Sequence, residues 1–254
     1  MSNASLVIAN WKMNGNRALT RNMSEVLRDN QADFKGVNVV ICPPYTLLSE
    51  MAGHIYYDDV ALGAQNVSEY ESGAHTGEVS VAMLQELGVE YVLLGHSERR
   101  AEQHESDQLV AAKAATVTQA GLTAVICVGE DKAQREADNT WSVIQAQLEK
   151  SLAGLSAKQI ARVVVAYEPI WAIGTGETAS PAQAQEVHAK IRGWLVENYQ
   201  QVGAKTPLLY GGSVKANNAE SLFSEADING GLIGGASLKP DAFVNICNSA
   251  QRNA

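Results

Sequence analysis

The chain has 254 residues, of which 46% are hydrophobic and 19% charged, and its formal net charge at pH 7 is −9. This composition excludes an intrinsically disordered chain and allows a large buried core, in one domain or two. The negative charge argues against nucleic acid or an anionic membrane surface as the main partner, but it does not exclude a small anionic ligand.

Composition and cysteine usage also predict a cytoplasmic protein. No apolar stretch approaches the roughly 18 residues that a membrane span needs, and residues 1–4 lack the basic and apolar regions of a secretory signal. The three cysteines are Cys42, Cys127 and Cys247, an odd number without the spacing of a disulfide framework or a zinc site. A reducing compartment is therefore expected.

Short runs rich in valine, isoleucine and leucine recur along the chain. They cover residues 5–9, 37–42, 60–64, 91–95, 122–128, 163–167, 208–211 and 232–235. Because these runs are continuously apolar rather than alternating, they predict parallel strands buried on both faces. Helical patterns lie between most of them, and the clearest cover residues 101–120, 133–152 and 181–201.

The alternation of strands and helices predicts an α/β fold with a parallel sheet. Ser180 and Pro181 indicate the start of one helix, and Gly121 indicates the end of another. An open doubly wound sheet would alternate in the same way, but about eight strand and helix units favour a closed (β/α)8 TIM barrel. No linker interrupts the series, so we expect residues 1–254 to form a single domain.

Polar and glycine residues follow several of the predicted strands. In such a barrel the active site is built from the loops after the strands. These loops contain Asn10-Trp11-Lys12, Gly95-His96-Ser97-Glu98-Arg99-Arg100, Tyr167-Glu168-Pro169, Gly211-Gly212-Ser213 and Gly234-Gly235-Ala236-Ser237. We expect these segments to meet at one rim of the barrel.

Two of these residues have the chemistry of an acid–base pair. Glu168 precedes the apolar residues 169–173, which can desolvate its carboxylate, raise its proton affinity and suit it to be a general base. His96 comes just before a predicted helix start, where backbone N–H groups disfavour an imidazolium and a neutral ring can donate to a substrate carbonyl. The alternatives are a salt-bridged glutamate and a packed structural histidine.

Other strand ends suit an anion. Lys12 can hold an anionic substrate or balance developing negative charge, unless it is an ordinary solvated lysine. Three glycine-rich turns, at residues 174–176, 211–213 and 234–235, allow backbone N–H groups to approach an anion closely. A short helix opening near Ala236 would add its positive end. Together these features favour a phosphate site. The alternative is that the glycines are required only by the geometry of the turns.

Several other chemistries lack support in the sequence. It contains neither a phosphate-binding P-loop nor the Gly-x-Ser-x-Gly segment of serine hydrolases. No strand end carries the cluster of histidines and carboxylates that a metal would need, so we predict no metal site. Cys127 is interpreted as a small buried residue rather than a nucleophile.

Four segments resemble the signatures of the triosephosphate isomerase family. They are NWKMN at residues 10–14, LGHSERR at 94–100, AYEPIWAIGTG at 166–176 and YGGSV at 210–214. The resemblance runs over nearly the whole chain, and the segment around Glu168 is highly specific. It implies interconversion of dihydroxyacetone phosphate and D-glyceraldehyde 3-phosphate through an enediolate, without a cofactor.

The resemblance also implies roles for individual residues. Glu168 would move the proton, neutral His96 would polarise the carbonyl, and Asn10 and Lys12 would stabilise the enediolate. The residues implied in substrate binding are Asn10, Trp11, Lys12, Gly174, Ser213, Gly234 and Gly235, with Ser97 and Glu98 in support.

A lid and a homodimer follow from the same resemblance. The lid would consist of Pro169, Ile170, Trp171, Ala172, Ile173, Gly174, Thr175 and Gly176. Glu177 departs from the family, which commonly has lysine at this position. Residues 65–78 would reach a partner subunit near its Asn14, with Thr76 as the contact residue.

Two further functions remain as alternatives. The first is another phosphate-binding barrel enzyme, such as a different sugar-phosphate isomerase or an aldolase. A Schiff-base aldolase would require a lysine deep on a strand, whereas the sixth strand ends in Glu168. The second is a non-enzymatic phosphate-binding barrel, which would have lost the base, the histidine or the lysine.

Overall fold

Eight parallel strands pair in chain order and close into a barrel in the computed structural model, which describes residues 5–55, 60–173 and 177–251. The barrel closes where β1 pairs with β8, with Leu6 opposite Gly230. The strands are β1 (Ser5–Asn10), β2 (Val37–Cys42), β3 (Val60–Ala64), β4 (Val89–Leu94), β5 (Thr123–Val128), β6 (Val163–Tyr167), β7 (Leu208–Tyr210) and β8 (Gly230–Ile233). The predicted (β/α)8 barrel is confirmed.

Helices follow the strands and lie outside the barrel. In the described residues they are α1 (Arg17–Asp29), α2 (Tyr45–Ala52), α3 (Val81–Glu86), α4 (Ser97–Glu102), α5 (Asp107–Gln119), α6 (Lys132–Glu136), α7 (Thr140–Ser151), α8 (Ala157–Ile160), α9 (Pro181–Lys205), α10 (Ala219–Phe223) and α11 (Pro240–Ser249). Short 3-10 helices cover Gln31–Phe34, Ile170–Ala172 and Gly235–Leu238. In the described part of the chain, no helix combines the length and the apolarity needed to cross a bilayer.

The apolar strand residues divide between two cores because successive side chains point to opposite faces. One set, including Ile8, Val125 and Leu209, packs together inside the barrel. The other set, including Val7, Ile126 and Leu208, packs in a larger cluster with residues of the surrounding helices. Burial on both faces explains why the strand sequences are continuously apolar.

Two predicted helices are each broken into two. The pattern at residues 101–120 is interrupted after α4, where His104 has a φ of +55° and Ser106 caps the start of α5. The pattern at residues 133–152 is interrupted where Asp138 has a φ of +55°. A left-handed residue ends a helix, and apolar periodicity does not reveal it.

The last predicted helix runs on to Lys205, although Gln200 within it is not helical. Its start is as predicted, since Ser180 caps it and Pro181 follows. Gly121, with a φ of +86°, follows the end of α5, as expected for a terminating glycine.

Candidate active site

A cavity of about 640 Å³ opens at the carboxyl ends of the strands. Its lining includes ten residues that the sequence singles out: Asn10, Trp11, Lys12, His96, Glu98, Glu168, Ile173, Ser213, Gly234 and Gly235. They lie at the ends of five strands, β1, β4, β6, β7 and β8, so barrel closure brings segments from across the chain to one place. The predicted rim of polar residues is therefore present in the structure.

Glu168 follows β6 and is buried, with a side chain only 2% exposed. Its Oε1 lies 2.9 Å from Nε2 of His96, and its Oε2 accepts the backbone N–H of Ser97 at 2.9 Å. Burial raises the pKa of Glu168, as the sequence predicts, but the contacts with His96 and Ser97 outweigh burial and the net direction is downward. The carboxylate form is therefore favoured in this arrangement.

His96 caps the N-terminus of α4. Its Nδ1 accepts the backbone N–H of Glu98 at 3.2 Å. A nitrogen that accepts a hydrogen bond carries no proton, so the ring hydrogen is on Nε2, which donates to Glu168. Burial lowers the pKa of His96, but the adjacent Glu168 carboxylate raises it and the net direction is upward.

Lys12 reaches the cavity from the loop after β1. Its Nζ lies 2.6 Å from Oε1 of Glu98, and its backbone N–H donates to Oδ1 of Asn10 at 3.0 Å. A methyl group placed on Gly234 would lie 3.5 Å from Lys12 Cε, so the lysine stem runs beside the glycine turn after β8. Lys12 thus places a positive charge between the acid–base pair and this turn.

The turns after β7 and β8 form the other side of the cavity. Ser213 donates through Oγ to the backbone oxygen of Ala172 at 2.9 Å, which joins the turn after β7 to the predicted lid. Gly234 and Gly235 lie where a 3-10 helix begins, in agreement with the helix start expected near Ala236. Of the predicted binding and lid residues, Gly174, Thr175 and Gly176 lie outside the described residues.

The first part of the predicted lid, residues 169–173, contacts the loop after β5. Trp171 donates through Nε1 to Oε1 of Glu130 at 3.0 Å, and the guanidinium of Arg135 lies 4.6 Å from the centre of the Trp171 ring. Glu130 also accepts from Tyr167, at 3.1 Å. At the other end, Glu177 lies 3.7 Å from Nζ of Lys132. The contacts before and after residues 174–176 therefore lead to the same segment after β5, residues 130–135.

Sequence reasoning missed several residues that complete this site. Gln65 and Glu130 make hydrogen bonds to backbone or side chains of the site, while Lys215 and Lys239 line the cavity. Gln65 comes directly after β3 and Glu130 two residues after β5. The rule that loops after barrel strands hold functional residues was therefore sufficient to find both.

Two predicted residues have a different environment from the rest. Trp11 lines the cavity, yet its side chain is completely buried in the core and its Nε1 has no hydrogen-bond partner within the described residues. Thr76 is exposed and does not line this chain's cavity. Within the described part of the chain, no group of His, Cys, Asp and Glu side chains is arranged to hold a metal ion.

Comparison with known proteins gives a consistent result. A family model described as triosephosphate isomerase matches residues 5–250. A triosephosphate isomerase of Idiomarina loihiensis is 61% identical over 251 residues, covering 99% of this chain and all of the relative. Those of Colwellia psychrerythraea and Halorhodospira halophila are 49% and 48% identical, covering 99% and 96% of this chain and 99% and 97% of the relatives.

Proposed function

The chain belongs to the triosephosphate isomerase family, and from this premise we propose that it interconverts dihydroxyacetone phosphate and D-glyceraldehyde 3-phosphate in its cavity. The observation that carries the proposal is the pairing of Glu168 with Nε2 of His96 at 2.9 Å, within a cavity that also contains Lys12. A base, a hydrogen-bond donor and a cation are the groups that proton transfer next to a carbonyl requires.

The reaction divides between Glu168 and His96. The substrate carbonyl oxygen replaces Glu168 as the acceptor of the Nε2 hydrogen of His96. The freed carboxylate takes a proton from the carbon beside the carbonyl, and the electron pair moves to the carbonyl oxygen to form an enediolate. Through Nε2 of His96, the proton of the neighbouring hydroxyl group then passes to the former carbonyl oxygen. Glu168 returns its proton to the carbon that carried the carbonyl, and the oxygen that lost its proton becomes the new carbonyl. The hydrogen bond from His96 lowers the pKa of Glu168. When His96 donates to the substrate instead, the carboxylate loses that bond and becomes more basic.

Asn10 and Lys12 stabilise the negative charge on the enediolate. Lys12 supplies a cation in a molecule whose formal net charge is −9, and it lies beside the turn that we assign to phosphate. Its 2.6 Å ion pair with Glu98 holds the ammonium group at this position. The local positive charge explains how an acidic protein can bind a small anion.

The phosphate group binds at the turns after β7 and β8. We assign it to Ser213 and to the backbone N–H groups of Gly234 and Gly235, together with Gly174 of the lid. The lid, residues 169–176, closes over the substrate and excludes water during the reaction. The contacts of Trp171 with Glu130 and Arg135 anchor its first part.

We further propose that the protein is a cytoplasmic homodimer, in which each chain is one barrel domain spanning residues 1–254. The dimer is supported by large exposed apolar side chains, among them Met13, Tyr45 and Tyr70, at 97%, 39% and 50% exposure. Thr76 is exposed in the same loop as Tyr70, as a contact with a partner subunit requires. The three unpaired cysteines suit a reducing compartment.

The test is the conversion of D-glyceraldehyde 3-phosphate, with the dihydroxyacetone phosphate formed reduced by an NADH-linked enzyme. The assay is run in EDTA with no added cofactor. Rapid turnover supports the proposal. Binding of the substrate without turnover would overturn it in favour of a phosphate-binding barrel, and formation of a carbon–carbon bond between D-glyceraldehyde 3-phosphate and an added ketone or aldehyde donor would indicate an aldolase.

A further inference from the structure

Gln65 joins three strand ends beside the cavity. It follows β3, and its side-chain Nε2 donates to the backbone oxygens of Lys12 and Cys42, each at 2.9 Å. Lys12 lies just after β1, and Cys42 ends β2. Both hydrogens of one half-buried amide are therefore used to hold neighbouring backbone at the rim.

The backbone of Lys12 needs such support. Its φ is +52°, in the left-handed region that is unfavourable for a residue with a side chain. Conformations of this kind persist only where the surroundings impose them. The N–H of Lys12 donates to Asn10 Oδ1 at 3.0 Å, and its carbonyl accepts from Gln65. Side chains on both sides of the residue thus satisfy its backbone groups in this conformation.

The direction of the Lys12 side chain depends on that conformation. From this backbone the side chain extends past Gly234 to place Nζ 2.6 Å from Glu98. A change to an ordinary extended or helical φ would turn the side chain out of this path. The ammonium group would then leave the position beside the turn after β8.

We propose that Gln65 is a positioning residue for Lys12: its amide holds the left-handed backbone that aims the ammonium group at the substrate phosphate. The inference rests on the function proposed for Lys12. It does not require Gln65 to touch the substrate, and Gln65 does not line the cavity.

The test begins with Gln65→Met, which keeps a side chain of similar length and removes both donors. We expect kcat/KM for glyceraldehyde 3-phosphate to fall about tenfold, because two hydrogen bonds that favour the productive Lys12 conformation are lost. We expect the Kd of glycerol 3-phosphate, which has the phosphate but no carbonyl, to rise by a similar factor. If the first variant does not fold, the same two measurements are made on Gln65→Asn, which keeps the amide on a shorter side chain.

A double-mutant cycle separates positioning from a general structural role. In a Lys12→Met background, Gln65→Met should change the Kd of glycerol 3-phosphate less than about twofold, because the group that Gln65 positions is absent. Equal weakening in both backgrounds would overturn the proposal, and so would wild-type affinity and activity in the single Gln65 variant.

A matched control comes from Gln85, whose Nε2 donates to the backbone oxygen of Ala120 at 2.9 Å, at the opposite end of the barrel. Gln85→Met removes one exposed hydrogen bond of the same length and should leave both constants unchanged. Absence of isomerase activity in the wild type would defeat the proposed function. The ligand cycle would still report whether Gln65 acts through Lys12, so the two failures can be distinguished.

Discussion

Glu168 combines two opposing influences on a single carboxylate. Burial favours its protonated form, and the bonds from His96 and Ser97 favour the charged form. A group in this position can change basicity when one partner is exchanged, which is what proton transfer to and from carbon requires.

We predict that Glu168→Gln lowers kcat by about two to four orders of magnitude or more, because an amide cannot take the proton. The fold and the binding of glycerol 3-phosphate should remain, since the amide oxygen can still accept the N–H of Ser97. Steady-state kinetics and calorimetric titration measure the two effects. Near-normal turnover would remove Glu168 from the mechanism.

In the proposed function, Lys12 contributes charge rather than proton transfer. We predict that Lys12→Ala weakens the binding of glycerol 3-phosphate and reduces the dependence of that affinity on ionic strength, because a cation near the phosphate is lost. Titrations at low and high salt measure this. Lys190→Ala is a matched control, since Lys190 pairs with Glu186 on the exposed face of α9. Unchanged affinity in Lys12→Ala would contradict the assignment.

At the scale of elements, the connection from α4 to α5 is held by buried charge. The side chains of Glu105 and Lys113 are 2% and 5% exposed, and their charged atoms lie 2.5 Å apart. Glu105 also accepts from Arg99 in α4, and Lys113 donates to Asn66 in the loop after β3. This network fixes α4, whose first residues contact Glu168.

We predict that Glu105→Gln lowers the free energy of unfolding by about 3–5 kcal/mol at pH 7, because it leaves the buried Lys113 without its counter-charge. Burial raises the pKa of Glu105, but its bonds to Lys113 and Arg99 outweigh this and lower it below the usual value. Its stabilisation is therefore present at neutral pH and is lost as pH falls through the folded-state pKa.

Urea unfolding at several pH values measures this prediction. The difference between the variant and the wild type should shrink on acidification. Glu186→Gln, which alters an exposed ion pair, should lower the free energy of unfolding by less than about 1 kcal/mol. If Glu105→Gln lowers the free energy of unfolding by an equally small amount at pH 7, the network does not stabilise this connection.

The turn after β7 also controls the position of the base. A methyl group on Gly211 would lie 2.9 Å from Cγ of Glu168 and 3.1 Å from the backbone oxygen of Tyr167. We predict that Gly211→Ala lowers kcat by about tenfold or more, because a small displacement of a catalytic group is costly. Gly193→Ala in α9 is the control, since a methyl group there has no neighbour within 4 Å. Wild-type kcat in Gly211→Ala would contradict the prediction.

At the scale of the whole molecule, exposed apolar side chains cluster around the loop after β3. Tyr70 stacks on His75 within this loop, and Tyr45 donates to the backbone oxygen of Asn66. Met13 follows Lys12, whose carbonyl is bonded to Gln65 at the start of the same loop. In the proposed dimer we expect these groups to lie on one face, covered by a second copy of the chain.

We predict that sedimentation equilibrium gives a mass of twice 27.1 kDa, and that Thr76→Arg dissociates the dimer and lowers kcat/KM. A bulky charge would have to be buried without a partner at the interface. Glu71→Arg, another exposed substitution in this loop, is a control for charge alone. A wild-type monomer with full activity would contradict the proposed dimer.

Much of the fold followed from sequence because local patterns encode it. Continuous apolar runs marked the strands, and Ser180-Pro181 marked a helix start. Breaks at His104 and Asp138 were not visible, because a left-handed residue other than glycine has no clear sequence signal. Glu168 and His96 were singled out as candidates by their places after strands, and they are in contact in the structure, but the direction of the Glu168 pKa depended on contacts between separate loops.

The sequence by itself therefore determined the eight-unit barrel and the chemistry-bearing residues at the strand ends, because apolar periodicity and short motifs are local properties. Only the tertiary structure decided which of those groups meet. Glu168 and Ser97 are 71 residues apart in sequence, and Gln65 and Lys12 are 53 apart, yet both pairs are hydrogen-bonded. Such contacts arise from closure of the barrel, which places every strand end on one rim and which no local pattern encodes.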